Sequence, residues 1–128
     1  MNISDPSLVL DRKHLSEITL DDPDLMRQVL AALIDDTSRQ IHLLNSAIQD
    51  HDAARCARLA HYSKGACANV GANKAAVLLE KIEHNAAAGA VAACESELAV
   101  LSRELEQLRQ EQDKYEREHL RDDLADAG

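Results

Sequence analysis

Apolar residues recur every three or four positions along most of the chain, a spacing that is typical of amphipathic helices. The first long run follows Asp22 and Pro23, which suit the N-cap and the first position of a helix. It predicts a helix over about residues 23–49, and a shorter periodic piece near residues 10–18 comes before it. The apolar positions of the long run are Met26, Val29, Leu30, Leu33, Ile41, Leu44 and Ile48.

Two shorter helices are predicted in the middle of the chain. Asp50 or Asp52 can cap the first of them, and Gly71 lies where a helix commonly ends in a left-handed residue. The second begins near Ala72 and ends at Gly89. Their core positions are Cys56, Leu59, Ala60, Ser63, Cys67 and Val70 in the first, and Ala72, Ala75, Ala76, Leu79, Ile82 and Ala86 in the second.

The last helix has the most regular pattern, a heptad seam between charged flanks. At 1.5 Å per residue, residues 91–121 span roughly 45 Å, against roughly 25 Å for each middle helix. Part of this helix must therefore pass beyond the short pair, where it packs on the long first helix, protrudes into solvent or pairs with another chain. The seam consists of Val91, Cys94, Leu98, Leu101, Leu105, Leu108, Gln112 and Tyr115.

Short loops between successive helices make neighbours antiparallel. The predicted fold is therefore all-α, an antiparallel up-down-up-down four-helix bundle with a short N-terminal helix and an extended C-terminal helix. We expect a single domain over residues 1–128, with a core at about 8–105 and a charged extension of the last helix at 106–128. The chain has two tyrosines and neither phenylalanine nor tryptophan, which disfavours β-sheet.

Charge and composition exclude several classes of function. The 14 basic and 23 acidic residues give a net charge of −9, which disfavours binding to nucleic acid or anionic lipid. No apolar run approaches the roughly 20 residues of a membrane span, and the N-terminus lacks the pattern of a signal peptide. The three cysteines lack C-x-x-C spacing and indicate neither disulfides nor a zinc site. We therefore expect a reduced, cytoplasmic protein without a cofactor of its own.

One of the six histidines, His61, is distinguished by its neighbours. It lies on the solvent side of its helix, because Ala60 and Ser63 belong to the core stripe, whereas the other histidines are most simply solvated residues. Small side chains leave its ring uncovered, and two cations flank it. The residues that share its face at helical spacing are Ala57, Arg58, Lys64, Gly65 and Ala68.

Gly65 is the informative member of this face. Glycine inside a helix costs about 1 kcal/mol relative to alanine, and no turn is needed at this position. One interpretation is that another molecule approaches the imidazole closely there. The other is that Gly65 relieves crowding against a neighbouring helix, and the spacing alone does not decide between them.

An exposed imidazole in this setting suits phosphoryl transfer, since neutral imidazole is a nucleophile at the pH of the cell. A phosphohistidine carries negative charge, which Lys64 can neutralise from one turn further on. The chain has four glycines and no P-loop or comparable nucleotide-binding loop. The phosphoryl group must therefore come from another molecule.

The stretch from Leu59 to Glu83 resembles the histidine-containing phosphotransfer (HPt) domain. The family pattern is approximately A-H-x-L-K-G-x-x-x-x-x-G-A, followed by an apolar stretch that ends in L-E. This sequence reads A-H-Y-S-K-G-A-C-A-N-V-G-A over residues 60–72, with Ile82-Glu83 at the later position. The resemblance covers roughly residues 8–100.

The resemblance implies a phosphorelay intermediate of two-component signalling that does not phosphorylate itself. His61 accepts and donates the phosphoryl group and Lys64 pairs with it, while the docking face consists of Gly65, Arg58, Ala57 and Ala68. The implied partners are a response-regulator receiver domain, whose aspartate and Mg²⁺ supply the transfer catalysis, and a hybrid or sensor histidine kinase.

Two positions depart from the family pattern. Ser63 stands where the family usually has leucine, and we expect its hydroxyl to bond to the carbonyl of Leu59 four residues earlier. Ala75 replaces a larger apolar residue, and Cys67 and Leu79 are the candidates to compensate for the lost volume. Neither change touches the face that carries His61.

Two other functions stay open from the sequence. The chain can be an HPt-like binding module whose histidine is idle, or a dimerising helical adaptor built on the last helix. The heptad seam supports the adaptor, yet any helix of a bundle needs such a seam, so we expect a monomer rather than a homodimer.

Overall fold

The computed structural model describes residues 5–127, with side chains up to residue 118 and that of Leu120. It contains helices and no strand within that range, which confirms the all-α prediction. The helices are α1 (Arg12–Ile18), α2 (Pro23–Gln49), α3 (Ala53–Val70), α4 (Asn73–Ala87) and α5 (Val91–Ala127).

The four longer helices form a closed ring in which α2 packs on α3, α3 on α4, α4 on α5, and α5 on α2. The short helix α1 contacts α3. Because α3 and α4 are much shorter than α2 and α5, the molecule is a short hairpin packed against a long pair. No helix in the described range is both long and apolar enough to cross a membrane.

Capping residues set the helix boundaries. The carboxylate of Asp22 accepts the backbone N–H groups of Asp24 and Leu25 at the start of α2. Of the two candidates for the start of α3, Asp52 is the cap, since its carboxylate accepts the N–H of Arg55. The end of α3 is Gly71, in the left-handed conformation with φ of 97°.

The helix α5 continues to Ala127 and therefore includes the predicted extension of the last helix. Its buried stripe continues to Leu108, which is fully buried. Beyond that point Tyr115 packs against the core, and the guanidinium of Arg12 lies 4.4 Å from the centre of its ring. Arg27 of α2 also lies 3.7 Å from Glu116, so of the three possibilities for the projecting part, packing on the long first helix applies to this stretch, which contacts α1 as well.

The segment before α1 is bound to the turn between α3 and α4. The N–H of Asp11 donates to the carbonyl of Gly71 at 2.8 Å, and the N–H of Lys74 donates to the carbonyl of Leu8 at 2.9 Å. A Cβ atom at Gly71 would lie 3.0 Å from the carbonyl oxygen of Asp11. Both the positive φ and this close approach therefore require glycine at position 71.

The expected hydrogen bond from Ser63 to Leu59 is wrong. Ser63 is 1% exposed, and its Oγ has no hydrogen-bond partner among the described residues. The carbonyl of Leu59 already accepts the backbone N–H of Ser63 within the helix, so it does not depend on the hydroxyl as a donor. A buried hydroxyl is thus left unsatisfied under the turn of α3 that carries His61 and Lys64. The two residues named as compensating for lost volume, Cys67 and Leu79, are both fully buried.

Candidate functional site

His61 lies on the solvent side of α3, and its side chain is 70% exposed. The reason is the placement of its neighbours, since Ala60 and Ser63 are buried in the core and turn the opposite side of the helix outwards. A helix in the middle of a packed hairpin holds the backbone of this residue firmly. The ring is thus accessible while its attachment point is fixed.

A carboxylate from the neighbouring helix joins His61 to Lys64. Glu83 on α4 has its Oε2 2.7 Å from Nδ1 of His61 and its Oε1 2.6 Å from Nζ of Lys64. The lysine is largely covered, with a side chain that is 20% exposed. The packing of α3 on α4 therefore builds a three-residue cluster with one carboxylate between two nitrogen groups.

The charge of Glu83 is stabilised by this cluster. Partial burial would raise its pKa, but the hydrogen bonds and the positive charges of Lys64 and His61 outweigh burial and lower the pKa of the carboxyl below its ordinary value. An ionised carboxylate can only accept a hydrogen bond, so Nδ1 of His61 carries the proton. In the neutral ring the lone pair is then on Nε2.

The space in front of Gly65 is open. A Cβ atom built at this position would meet nothing within 4 Å, so the glycine does not relieve crowding against a neighbouring helix. Ala57 and Ala68 are half-buried, and Arg58 is exposed without an ion pair in the described part of the chain. The helix face predicted from spacing therefore carries small side chains around His61, and no neighbouring helix covers it at Gly65.

Sequence reasoning did not include Glu83 among the site residues. Spacing on one helix relates His61 to Lys64, but it does not show which residue of α4 lies opposite them. The signal in the sequence is the final glutamate of the family pattern, which matches Ile82-Glu83.

Other candidate chemistry is weak in the described residues. No group of three or more histidine, cysteine or acidic side chains there is arranged to hold a metal ion. The three cysteines, Cys56, Cys67 and Cys94, are free and buried. Burial raises the pKa of the Cys67 thiol to about 11, so this thiol is inert at neutral pH.

Comparison with known families decides the identity of this fold. The Hpt domain model matches residues 28–111, well over half of the chain. The chain belongs to the Hpt domain family. As a member of it, the protein has a phosphotransfer role in two-component signalling, as a carrier rather than a kinase.

Solved Hpt proteins share the fold. Histidine-containing phosphotransfer protein B (HptB) from Pseudomonas aeruginosa PAO1 aligns with a TM-score of 0.80 at 23% identity, over 87% of this chain and 97% of that one. A rice protein assigned as a histidine-containing phosphotransfer protein aligns with a TM-score of 0.75 at 20% identity, over 84% of this chain and 79% of that one. Among curated proteins, none matches the chain at a significant level.

Proposed function

We propose that this Hpt domain is a phosphorelay intermediate in which His61 accepts a phosphoryl group and exchanges it with the aspartate of receiver domains. The observation that carries the proposal is the exposed ring of His61, with Nδ1 held by Glu83 at 2.7 Å. This contact fixes the ring and directs the nucleophilic lone pair to Nε2. The reacting atom is thus presented on an uncovered helix face.

The phosphoryl transfer needs no proton donor, because the leaving group is a carboxylate and the attacking nitrogen carries no proton. Nε2 of His61 attacks the phosphorus of the partner's aspartyl phosphate, and the new N–P bond forms. The P–O bond to the aspartate breaks, and the carboxylate oxygen leaves with the electron pair. The ring keeps its Nδ1 proton and becomes positively charged, and the carboxylate of Glu83 faces that charge.

Lys64 is the charge partner of the phosphorylated state. A phosphoryl group adds roughly −1.5 to −2 charges at pH 7, and an ammonium group is a suitable counterion. Nζ of Lys64 shares the carboxylate of Glu83 with His61, so it already lies on the flank of the ring. Its flexible four-carbon side chain can turn from the carboxylate to the new phosphoryl oxygens.

The remaining components belong to partners. We assign the Mg²⁺ ion and the phosphoacceptor aspartate to the receiver domain, and the ATP chemistry to a hybrid or sensor histidine kinase. Gly65 leaves room for the receiver, and Arg58 with Ala57 and Ala68 completes the docking face. In this chain the cluster of His61, Lys64 and Glu83 does the nucleophilic part of the reaction.

The dimerising adaptor has less support. Its heptad seam is used inside the bundle, where Leu101 and Leu108 of α5 are fully buried. A second chain could reach these side chains only by displacing α2 or α4. The idle binding module is the alternative that the following experiment addresses.

The proposal is tested by transfer to the wild type and to His61→Gln. The donors are a panel of receiver domains loaded with acetyl phosphate, and a hybrid kinase supplied with ATP and Mg²⁺. We expect an acid-labile, base-stable label on the wild type and none on His61→Gln. His84→Gln is the matched control, because His84 is an exposed histidine on α4 next to Glu83 and should keep the label. Equal labelling of His61→Gln, or no label on a folded wild type from any donor, would contradict the proposal.

A further inference from the structure

Tyr62 is a large aromatic side chain in an unusual position. It follows His61 directly and is 57% exposed. The chain has only two tyrosines and neither phenylalanine nor tryptophan. The second tyrosine, Tyr115, packs beneath the guanidinium of Arg12. Nothing in the fold requires an exposed aromatic ring beside the reactive histidine.

Helical geometry places Tyr62 beside the open space at Gly65. Gly65 is three residues after Tyr62 and four after His61, so both side chains neighbour it on the surface of α3. Arg58 lies four residues before Tyr62 and three before His61, at the other end of the same patch. A Cβ at Gly65 would meet nothing within 4 Å, so the surface between the imidazole and the phenol ring is open.

His61 and Tyr62 lie on different flanks of this open surface. His61 is on the flank that faces α4, because its Nδ1 contacts Glu83 there. Tyr62 is therefore on the opposite flank, away from the carboxylate. A partner that enters over Gly65 to reach Nε2 of His61 covers the tyrosine ring as it does so.

The charges around His61 indicate what kind of partner surface can dock there. The exposed guanidinium of Arg58 and the ammonium of Lys64 lie on either side of His61 along the helix, in a chain of net charge −9. An acidic phosphoacceptor pocket is attracted to the exposed guanidinium of Arg58, while the charge of Lys64 is largely offset by Glu83 at 2.6 Å until a phosphoryl group arrives. A generally acidic surface is repelled by the rest of the chain. The fitting partner thus has a small acidic pocket with an apolar side chain next to it.

We propose that Tyr62 is the docking anchor that selects among receiver domains, by packing its ring against an apolar side chain beside the receiver's acidic phosphoacceptor pocket. This inference rests on the proposed phosphorelay function. Aromatic side chains with a polar tip are favoured as binding hot spots, because the ring buries a large apolar area while the hydroxyl stays at the wet rim. Tyr62 contacts the partner rather than the phosphoryl group, so it is a specificity residue and not a catalytic one.

The test separates docking from reactivity. Tyr62→Ala and Tyr62→Phe are compared with the wild type as acceptors from the receiver that transfers fastest in a panel, over a range of receiver concentrations. In parallel, each protein is labelled with phosphoramidate, whose P–N bond breaks as ammonia leaves with the electron pair and the bond to Nε2 of His61 forms. Leu120→Ala is the control, since Leu120 is 61% exposed on α5, which lies across the ring from α3.

We expect Tyr62→Ala to raise the receiver concentration for half-maximal transfer about tenfold or more, the effect of removing a hot-spot aromatic. The maximal rate and the phosphoramidate labelling should stay close to those of the wild type. Tyr62→Phe should recover most of the loss, and the order of preference among receivers should change in Tyr62→Ala. Leu120→Ala should behave as the wild type in both assays.

The contrary outcomes point to different failures. If the wild type transfers and Tyr62→Ala does so with the same concentration dependence and the same preferences, the inference is wrong and the relay stands. If Tyr62→Ala loses phosphoramidate labelling as well, the residue supports reactivity rather than docking, and the inference is again wrong. A wild type that no receiver labels overturns the relay, and the inference with it.

Discussion

The two oxygens of Glu83 divide their contacts between Nδ1 of His61 at 2.7 Å and Nζ of Lys64 at 2.6 Å. In the proposed mechanism, this one carboxylate fixes the tautomer of the nucleophile and holds the cation that neutralises the product. The same principle operates in hydrolytic triads, where an acidic side chain orients the histidine and stabilises its positive form. At the residue scale, the chemistry of this site depends on a residue of the neighbouring helix.

Replacement of Glu83 should slow transfer without removing the acceptor. Glu83→Gln keeps a hydrogen-bond acceptor but loses the charge, and Glu83→Ala loses both. A hydrogen bond to a charged group contributes about 1.5–3 kcal/mol, so Glu83→Ala should reduce the maximal transfer rate about 10- to 100-fold, and Glu83→Gln should lie between it and the wild type. Rapid-quench measurement of label on His61 gives these rates. Rates of Glu83→Ala equal to the wild type would remove the carboxylate from the mechanism.

The acidity of Glu83 adds a pH dependence to stability. Burial opposes its ionisation, yet the bonds from Lys64 and His61 prevail and set its pKa below the ordinary 4.5. The stability that these contacts contribute is therefore present above pH 4.5 and is lost as the pH falls through the lowered pKa. Urea unfolding at pH 6 should show the wild type more stable than Glu83→Gln, with a difference that shrinks below pH 4.5. A difference that persists unchanged at pH 3 would contradict this account.

Removal of the buried hydroxyl of Ser63 should stabilise the protein, in contrast to the replacement of Glu83. An unsatisfied buried polar group costs about 1–3 kcal/mol, and removing Oγ leaves only a small space behind. Ser63→Ala should therefore raise the free energy of unfolding, by about 1 kcal/mol after the loss of packing around Oγ is included. Chemical denaturation measures this change, and a less stable variant would show that the hydroxyl has a partner.

The site residues differ in how far the sequence could predict them. His61, Lys64 and Gly65 share one helix, so a fixed periodicity relates them and the family pattern names them. Glu83 depends on how α3 and α4 are rotated against each other, which local spacing does not determine. Whether the hydroxyl of Ser63 bonds to Leu59 depends on the side-chain torsion of Ser63, which helical spacing does not determine. The expected bond to Leu59 was wrong.

At the element scale, the segment around α1 secures the end of the helix that carries His61. The carboxylate of Asp11 caps α1, and its N–H bonds to Gly71. Nε2–H of His14 donates to the carbonyl of Asn69 in the last turn of α3 at 2.8 Å. Asp11 and His14 come before residues 28–111, which the Hpt domain model matches, whereas their partners Gly71 and Asn69 lie within that range.

Two glycines provide a matched test of this attachment. Gly71 and Gly89 both have positive φ, of 97° and 78°, so alanine at either carries the left-handed penalty of about 1–2 kcal/mol. At Gly71 the new Cβ also meets the carbonyl of Asp11 at 3.0 Å, whereas at Gly89 it meets nothing within 4 Å. Gly71→Ala should therefore destabilise the protein more than Gly89→Ala in thermal unfolding. Equal losses would show that the segment before α1 moves aside freely.

Helix boundaries were predictable where capping chemistry marks them. Asp22 with Pro23, Asp52 and Gly71 are strong local signals, and the structure places helix ends at each of them. The extension of α5 was predicted from its charged sequence rather than from a cap, and the helix continues to Ala127. Beyond the last fully buried leucine of its stripe, Leu108, this helix is linked to α1 by ion pairs of Arg12 with Glu111 and Glu118.

At the scale of the whole molecule, a short hairpin packed on a long helical pair presents one reactive face in the middle of α3. The net charge of −9 is distributed over the surface, yet the side chains next to His61 include the cations Arg58 and Lys64. Long-range repulsion then limits unspecific anionic contacts, while the exposed guanidinium of Arg58 favours an acidic pocket. This arrangement suits the proposed relay, in which His61 exchanges the phosphoryl group with receiver domains.

The most direct test is to locate the phosphoryl group by atom. The protein, labelled with ¹⁵N at histidine, is phosphorylated by a receiver domain, and ¹⁵N–³¹P coupling is recorded. The account predicts one coupled nitrogen, Nε2 of His61, because Glu83 holds the proton on Nδ1. Coupling to Nδ1 of His61 or to a nitrogen of any other histidine would contradict it.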